Sequence, residues 1–178
     1  MVDKITRQKI HNDIHTKENC FALTAETLVD KAVELKYIGG TYGGTRRPTK
    51  FLCLLLKMLQ IQPELDIVLE FIKEENYKYI RLLGMLYFRL VCTRPKDIYT
   101  VLEPLYSDYR KIAFRETSGQ FSVMHMDEVV DKLLRDDRFC EVMLPRIPKR
   151  WVLQQNDELP EGERKTALQV DGEEETEE

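Results

Sequence analysis

Apolar positions along this chain recur mostly at helical spacing. Leu28, Val29, Ala32, Val33 and Leu35 share one face, predicting an amphipathic helix that opens at Thr24-Ala25-Glu26 and is stopped by Gly39-Gly40. The run from Lys50 to Ile61 is apolar nearly all round, with Thr49 placed to cap it. A helix without a polar face belongs at the centre of a molecule. Pro63 suits the first turn of a further helix with Leu65, Val68, Leu69 and Ile72 inward, and Asn76 breaks it. Tyr77 to Thr93 reads as a long helix burying Ile80, Leu83, Leu86, Tyr87 and Leu90. Pro95 starts another, carrying Ile98, Val101, Leu102 and Leu105, which Pro104 should kink or end. Asp127 caps a last amphipathic helix with Val129, Val130, Leu133 and Leu134 inward, and Leu144-Pro145-Arg146-Ile147-Pro148 forces an extended exit.

The period changes once. Lys111-Ile112-Ala113-Phe114-Arg115 and Phe121-Ser122-Val123-Met124 flank Thr117-Ser118-Gly119-Gln120, the pattern of a short β-hairpin. The expected fold is therefore all-α in the main: one compact multi-helix domain over residues 1–155 with at most one short hairpin. Residues 156–178 form an acidic tail, expected to be disordered unless a partner orders it.

Composition narrows the function classes. The 178 residues suffice for one domain with a real core, and 43% hydrophobic with 33% charged residues fit a globule with a charged surface. The net charge of −4 conceals a division, because residues 156–178 hold ten acidic and two basic side chains and the remainder is mildly basic. So mild an excess does not suit wholesale neutralisation of a phosphate backbone. The longest apolar stretch, Phe51 to Leu59, contains Lys57 and is too short to span a bilayer. Met1-Val2-Asp3-Lys4-Ile5 lacks the apolar run of a signal peptide, and no membrane association is expected. Cys20, Cys53, Cys92 and Cys140 form no CxxC pair and read as small buried hydrophobes in a reducing compartment.

Catalytic, metal and cofactor chemistry find little support. His11 and His15 stand four apart on a predicted helix, but no HExxH glutamate accompanies them and Asp13 points away, so a surface reading outweighs a metal site. Nothing local lowers a thiol pKa in favour of a Cys–His125 pair. The Gly39-Gly40-Thr41-Tyr42-Gly43-Gly44 loop lacks the Lys-Ser/Thr ending of a phosphate-binding loop and follows a helix. Its glycines are expected to permit a tight path. No catalytic residue, cofactor, metal or small-molecule substrate is expected.

Charge patterns carry more. Glu26, Asp30 and Glu34 stack along one helix face and repel by about 0.2–0.5 kcal/mol per pair, so a basic partner segment is expected against them. Lys78, Arg81 and Arg89 fall in one arc of the next long helix, a basic stripe suited to an acidic partner. Solvated faces that pair with each other are the plainer reading of both, and the preferred one. Tyr42, Arg46 and Arg47 offer a loop contact. Arg146, Lys149, Arg150 and Trp151 mix cations with an aromatic, suiting single-stranded RNA or a protein anchor. Equally, Trp151 is expected to close the core while the cations stay wet.

Five strings taken together resemble the pre-mRNA-splicing factor 38 family: Cys20-Phe21-Ala22-Leu23-Thr24-Ala25-Glu26, the glycine loop 39–44, Lys57-Met58-Leu59-Gln60-Ile61-Gln62-Pro63-Glu64, residues 102–111 (LEPLYSDYRK) and Leu144-Pro145-Arg146. The likeness spans most of residues 5–153. It implies a mostly helical, nuclear, non-enzymatic domain that joins the spliceosome with the tri-snRNP and is needed for its activation in pre-mRNA splicing. It implies as partners a long-helical relative of microfibrillar-associated protein, a matrin-type zinc-finger protein and tri-snRNP core proteins. Lys50, His11, His15, Pro95 and Lys96 depart from the family pattern, and an acidic tail stands where larger relatives carry Arg/Ser-rich ones. Direct RNA binding through Arg146, Lys149, Arg150 and Trp151 is the alternative reading.

Overall fold

The computed structural model describes residues 4–12 and 24–160. Its helices are α1 (Lys4–Asn12), α2 (Ala25–Val33), α3 (Lys50–Ile61), α4 (Leu65–Lys73), α5 (Lys78–Val91), α6 (Pro95–Leu102), α7 (Met126–Arg135) and α8 (Arg150–Gln155). A 3₁₀ turn, Glu103–Ser107, continues α6 through Pro104. The strands are β1 (Ile38–Gly39), β2 (Thr41–Tyr42), β3 (Arg47–Pro48), β4 (Lys111–Arg115), β5 (Phe121–His125), β6 (Arg138–Phe139) and β7 (Val142–Met143).

The two helices with the least polar surface lie innermost. α3 buries Phe51 to Leu56 and Met58, and α5 buries every residue from Ile80 to Arg89. Gly84 lets α4 cross α5 at close range, since a Cβ there would lie 2.8 Å from the Phe71 Cβ. Caps set the helix starts. The Thr24 hydroxyl accepts from Thr27 N at 3.4 Å while the Thr27 hydroxyl accepts from Thr24 N at 2.8 Å. Thr49 Oγ1 accepts from Leu52 N and donates to Gly39 O at 2.7 Å, so the α3 cap also pins the glycine loop. Two starts differ from expectation. α4 begins at Leu65 after a left-handed Gln62 rather than at Pro63, and His125 rather than Asp127 caps α7, because the Glu128 carboxylate reaches back to His125 N at 2.6 Å.

The all-α expectation is corrected. Among the described residues helix accounts for 55% and strand for 14%, and three small sheets make the fold mixed α/β, though mostly helical. β4 and β5 form the anticipated hairpin, from Lys111↔His125 to Arg115↔Phe121. β1 adds parallel to β4, with Ile38↔Phe114 and Gly39↔Arg115, giving the order β1-β4-β5. A Cβ on Gly39 would lie 2.7 Å from Arg115 O, so this pairing needs glycine. β2 pairs with β3 and β6 with β7. Strands of two residues show no alternation; their partners specify them, so hydrophobic period cannot reveal them.

The segment after β7 has no regular secondary structure until Lys149, which is extended, and then turns into α8, a helix the sequence pattern did not announce. Leu153 and Leu159 are buried, so packing continues into the start of the predicted tail. The tail from residue 161, with His15 and Cys20, lies outside the described residues.

Candidate functional site

The predicted basic stripe of α5 is not a surface. Arg81 and Arg89 are 8% and 2% exposed. Arg81 Nη1 pairs with Asp108 Oδ2 at 2.7 Å, and its Nη2 donates to Lys73 O, a last-turn carbonyl of α4. Arg89 Nε donates to Leu133 O at 2.8 Å, in the last turn of α7, and its Nη2 to Pro145 O at 2.6 Å. Each guanidinium thus satisfies a carbonyl left unpaired at a helix C-terminus, where the helix dipole favours a cation. Burial lowers the Arg89 pKa, with the Tyr99 hydroxyl opposing. Lys78, half-buried, donates to Lys111 O at 2.6 Å on the β4 edge. The stripe is corrected to a set of internal braces.

Asp108 is the hub of one brace. Burial pushes its carboxyl up, but hydrogen bonds from Arg110 and Arg81 outweigh this and hold it at about 2. Arg110 also donates to Glu75 O, so one carboxylate ties α5, β4 and the α4–α5 connection together.

The glycine loop, the hairpin and the β6–β7 turn form a second gathering. Tyr42 is half-buried and its ring lies 3.7 Å from the Arg115 guanidinium carbon, which also stands over Phe121 (5.0 Å) and Tyr37 (5.5 Å). Arg46 pairs with Glu141 at 2.9 Å, and Glu141 also accepts from Thr41 N at 2.7 Å. Arg47 is exposed on β3. Cys140 and Glu141 both take positive φ, the pattern of a type I′ hairpin turn, which costs a non-glycine residue about 1–2 kcal/mol each. Glu141's two contacts offset part of that cost. Sequence reasoning missed Arg115, Tyr37, Phe121 and Glu141. Of these, Arg115 and Phe121 were within reach, because the predicted hairpin sets them directly opposite.

On α2, Asp30 and Glu34 are exposed, and Glu34 meets Lys31 of its own helix at 3.4 Å. The side chain of Glu26 lies outside the described residues. The C-terminal cluster divides. Arg150 is engaged, with Nε 2.6 Å from Glu103 Oε1. Arg146 and Lys149 are exposed and, among the described residues, have no carboxylate within ion-pair distance. Trp151 is 54% exposed, so it does not close the core; Leu153 and Leu159 do. This strap is held rigid by Arg89 on Pro145 O and by the Tyr99 hydroxyl on Pro148 O at 2.9 Å.

Among the described residues the cysteines are not placed as nucleophiles. Burial, with Glu141 beside it, pushes the Cys140 thiol far up, leaving it a neutral thiol at physiological pH. Cys53 is buried as well. Among the described residues no three His, Cys, Asp or Glu side chains are placed to hold a metal, and no helix is long and apolar enough to cross a membrane. A shallow surface notch without room for a ligand is lined by Leu28, Met58, Ile61, Pro63 and Phe71, with no polar group among them.

A model described as the PRP38 family matches residues 1–157. Pre-mRNA-splicing factor 38 of Arabidopsis thaliana is 55% identical over 174 residues, covering 98% of this chain and 48% of that protein. Pre-mRNA-splicing factor 38A of Homo sapiens is 53% identical over 171 residues, covering 96% of this chain and 54% of that protein. The chain spans about half the length of the curated relatives it matches. A chain in the crystal structure of the Snu23-Prp38-MFAP1(217-258) complex of Chaetomium thermophilum matches with a TM-score of 0.87 and 35% identity, covering 98% of this chain and 91% of that one.

Proposed function

The chain belongs to the PRP38 family, and on that premise we propose that it is a non-catalytic interaction subunit of the nuclear spliceosome, joining with the tri-snRNP and needed for activation in pre-mRNA splicing. The observation that carries this reading is the likeness, along 98% of the chain, to a chain solved inside a complex with Snu23 and MFAP1. The partners it implies here are a microfibrillar-associated-protein-like long helix, a matrin-type zinc-finger protein and tri-snRNP core proteins. The residues expected to meet them are the exposed Asp30 and Glu34 at the C-terminal end of α2, Arg46 and Arg47 after the glycine loop, and Arg146, Lys149 and Trp151 on the strap, with the half-buried Tyr42 beside Arg46. A rigid body with preset charged faces binds a partner without a large ordering cost, so docking selects one assembly stage. Tagged chain recovered from nuclear extract should bring splicing proteins with it, and reversing Arg146 and Lys149 to Glu should reduce that recovery. Recovery free of splicing proteins would sink the reading.

Exposure of Trp151 beside Arg146 and Lys149 favours a second reading, direct contact with single-stranded RNA. Two phosphates neutralised predict a log-affinity against log-salt slope of about −1.4 for single strands. Chain truncated after Pro160 should show that slope if RNA is contacted, and weak salt-insensitive binding if it is not.

A further inference from the structure

The two outer edges of the β4–β5 hairpin are finished differently. Glu116 N bonds Gln120 O at 2.8 Å and Met126 N bonds Arg110 O at 3.1 Å, which sets the ladder's phase: even-numbered residues face across the hairpin and odd-numbered ones face out. On β4 the outward groups are met except Lys111 N. Lys111 O accepts from Lys78, Ala113 N donates to the Tyr79 hydroxyl, and Arg115 lies under β1. On β5 the outward N–H of His125 donates to Glu128. The outward N–H and C=O of Phe121 and Val123 find no partner among the described residues.

β5 also lacks the usual protection of an edge. Phe121-Ser122-Val123-Met124-His125 contains no Pro, Lys or bulge, and Phe121 and Val123 are 58% and 65% exposed. The outer face of the hairpin sets Phe121, Val123 and Ala113 between two cations, Arg115 and Lys111, neither of which has a carboxylate within ion-pair distance among the described residues. Arg115 Nε is buried without a hydrogen bond although its Nη1 reaches the Tyr37 hydroxyl. Alternating backbone donors and acceptors are matched by another extended strand, and flanking cations by carboxylates.

We infer that the β5 edge is a docking site for an extended, acidic-ended segment of a partner protein, which adds as a fourth strand, places apolar side chains on Phe121 and Val123, and sets carboxylates against Arg115 and Lys111. The inference deepens the interaction reading above and rests on it for the partner being a spliceosomal protein.

The test titrates the full isotope-labelled chain with a synthetic peptide of alternating valine and threonine bearing glutamate at both ends. Two control peptides are used, one N-methylated at alternate backbone nitrogens and one with glutamine ends. The acidic peptide should slow exchange of the Phe121 and Val123 amides by about tenfold or more at saturation, and the N-methylated peptide should not. Lys111→Gln, at an exposed side chain, should weaken the acidic peptide about fivefold and leave the glutamine-ended peptide unchanged, which separates lost charge from lost folding. Equal protection by the N-methylated peptide, or shifts confined to other surfaces, would overturn the inference. So would amides already protected in the chain alone: protection at every concentration assigns the edge to a segment of this chain outside residues 4–12 and 24–160, and protection rising with concentration assigns it to a second copy. Recovery of splicing proteins from nuclear extract is scored separately, so loss of that recovery with peptide binding intact removes the spliceosomal role and leaves the edge.

Discussion

Two groups of cations in this protein are built from the same residue types and do opposite work. Arg81 and Arg89 lie inside, each spanning from α5 to the C-terminal carbonyls of another helix. Arg146 and Lys149 lie outside, on an extended strap with no acidic neighbour in ion-pair range among the described residues. The groups are also coupled: Arg89 donates to Pro145 O, so a buried brace sets the path of the exposed strap. Each buried guanidinium makes two contacts and leaves one nitrogen, Arg81 Nε and Arg89 Nη1, without a partner among the described residues, so it is costly to disturb, whereas an exposed cation contributes little to folding and remains available to partners.

The largest test of that contrast is Asp108→Ala. It strands Arg81 as a buried charge without a carboxylate and is expected to cost about 3–5 kcal/mol in urea-induced unfolding. An unfolding midpoint that stays put would remove the brace assignment. Next comes Arg89→Met, which deletes the charge together with its two carbonyl contacts. A loss of about 2 kcal/mol is expected, along with faster amide exchange in residues 144–149, because the strap loses one anchor. Similar in size is an acid effect. The folded Asp108 carboxyl is held at about 2, below its unfolded value of about 3.9. Its stabilisation of about 2 kcal/mol is therefore complete above roughly pH 4 and lost as pH falls through about 2. Wild type and Asp108→Asn should converge in stability over that acid range, and parallel curves would refute the linkage. Smallest is the double variant Arg146→Glu, Lys149→Glu, for which unfolding should shift by no more than about 0.5 kcal/mol while recovery of splicing proteins falls. A large stability loss there would mean the strap's cations are structural after all.

Legibility followed the length of the repeating signal. α3 and α5 were visible because a dozen successive positions either lacked a polar face or kept helical period, and the β4–β5 hairpin because two alternating runs met at a glycine turn. α8 was not, since six residues after a proline-guided segment carry too little period. The α5 stripe was located correctly in sequence and misplaced in space. An arginine on an otherwise apolar helix looks the same whether it reaches water or the end of a neighbouring helix. The glycine-loop gathering was half legible: Tyr42, Arg46 and Arg47 stood out by composition, but Arg115 and Glu141, which hold them, sit some 70 and 95 residues away.

By itself the sequence determined most of the helical segments, α8 excepted, which helices lie innermost, where Thr24 and Thr49 start them, and which family the chain resembles, because each of these is written in local period, local capping or contiguous strings. Tertiary structure alone decided that the fold is mixed α/β, that Arg81 and Arg89 are buried while Arg146, Lys149 and Trp151 are not, and that, among the described residues, the β4 edge of the hairpin is largely paired and the Phe121–Val123 edge is not. Burial and hydrogen-bond satisfaction depend on what distant segments bring to the same place, and no local pattern encodes that.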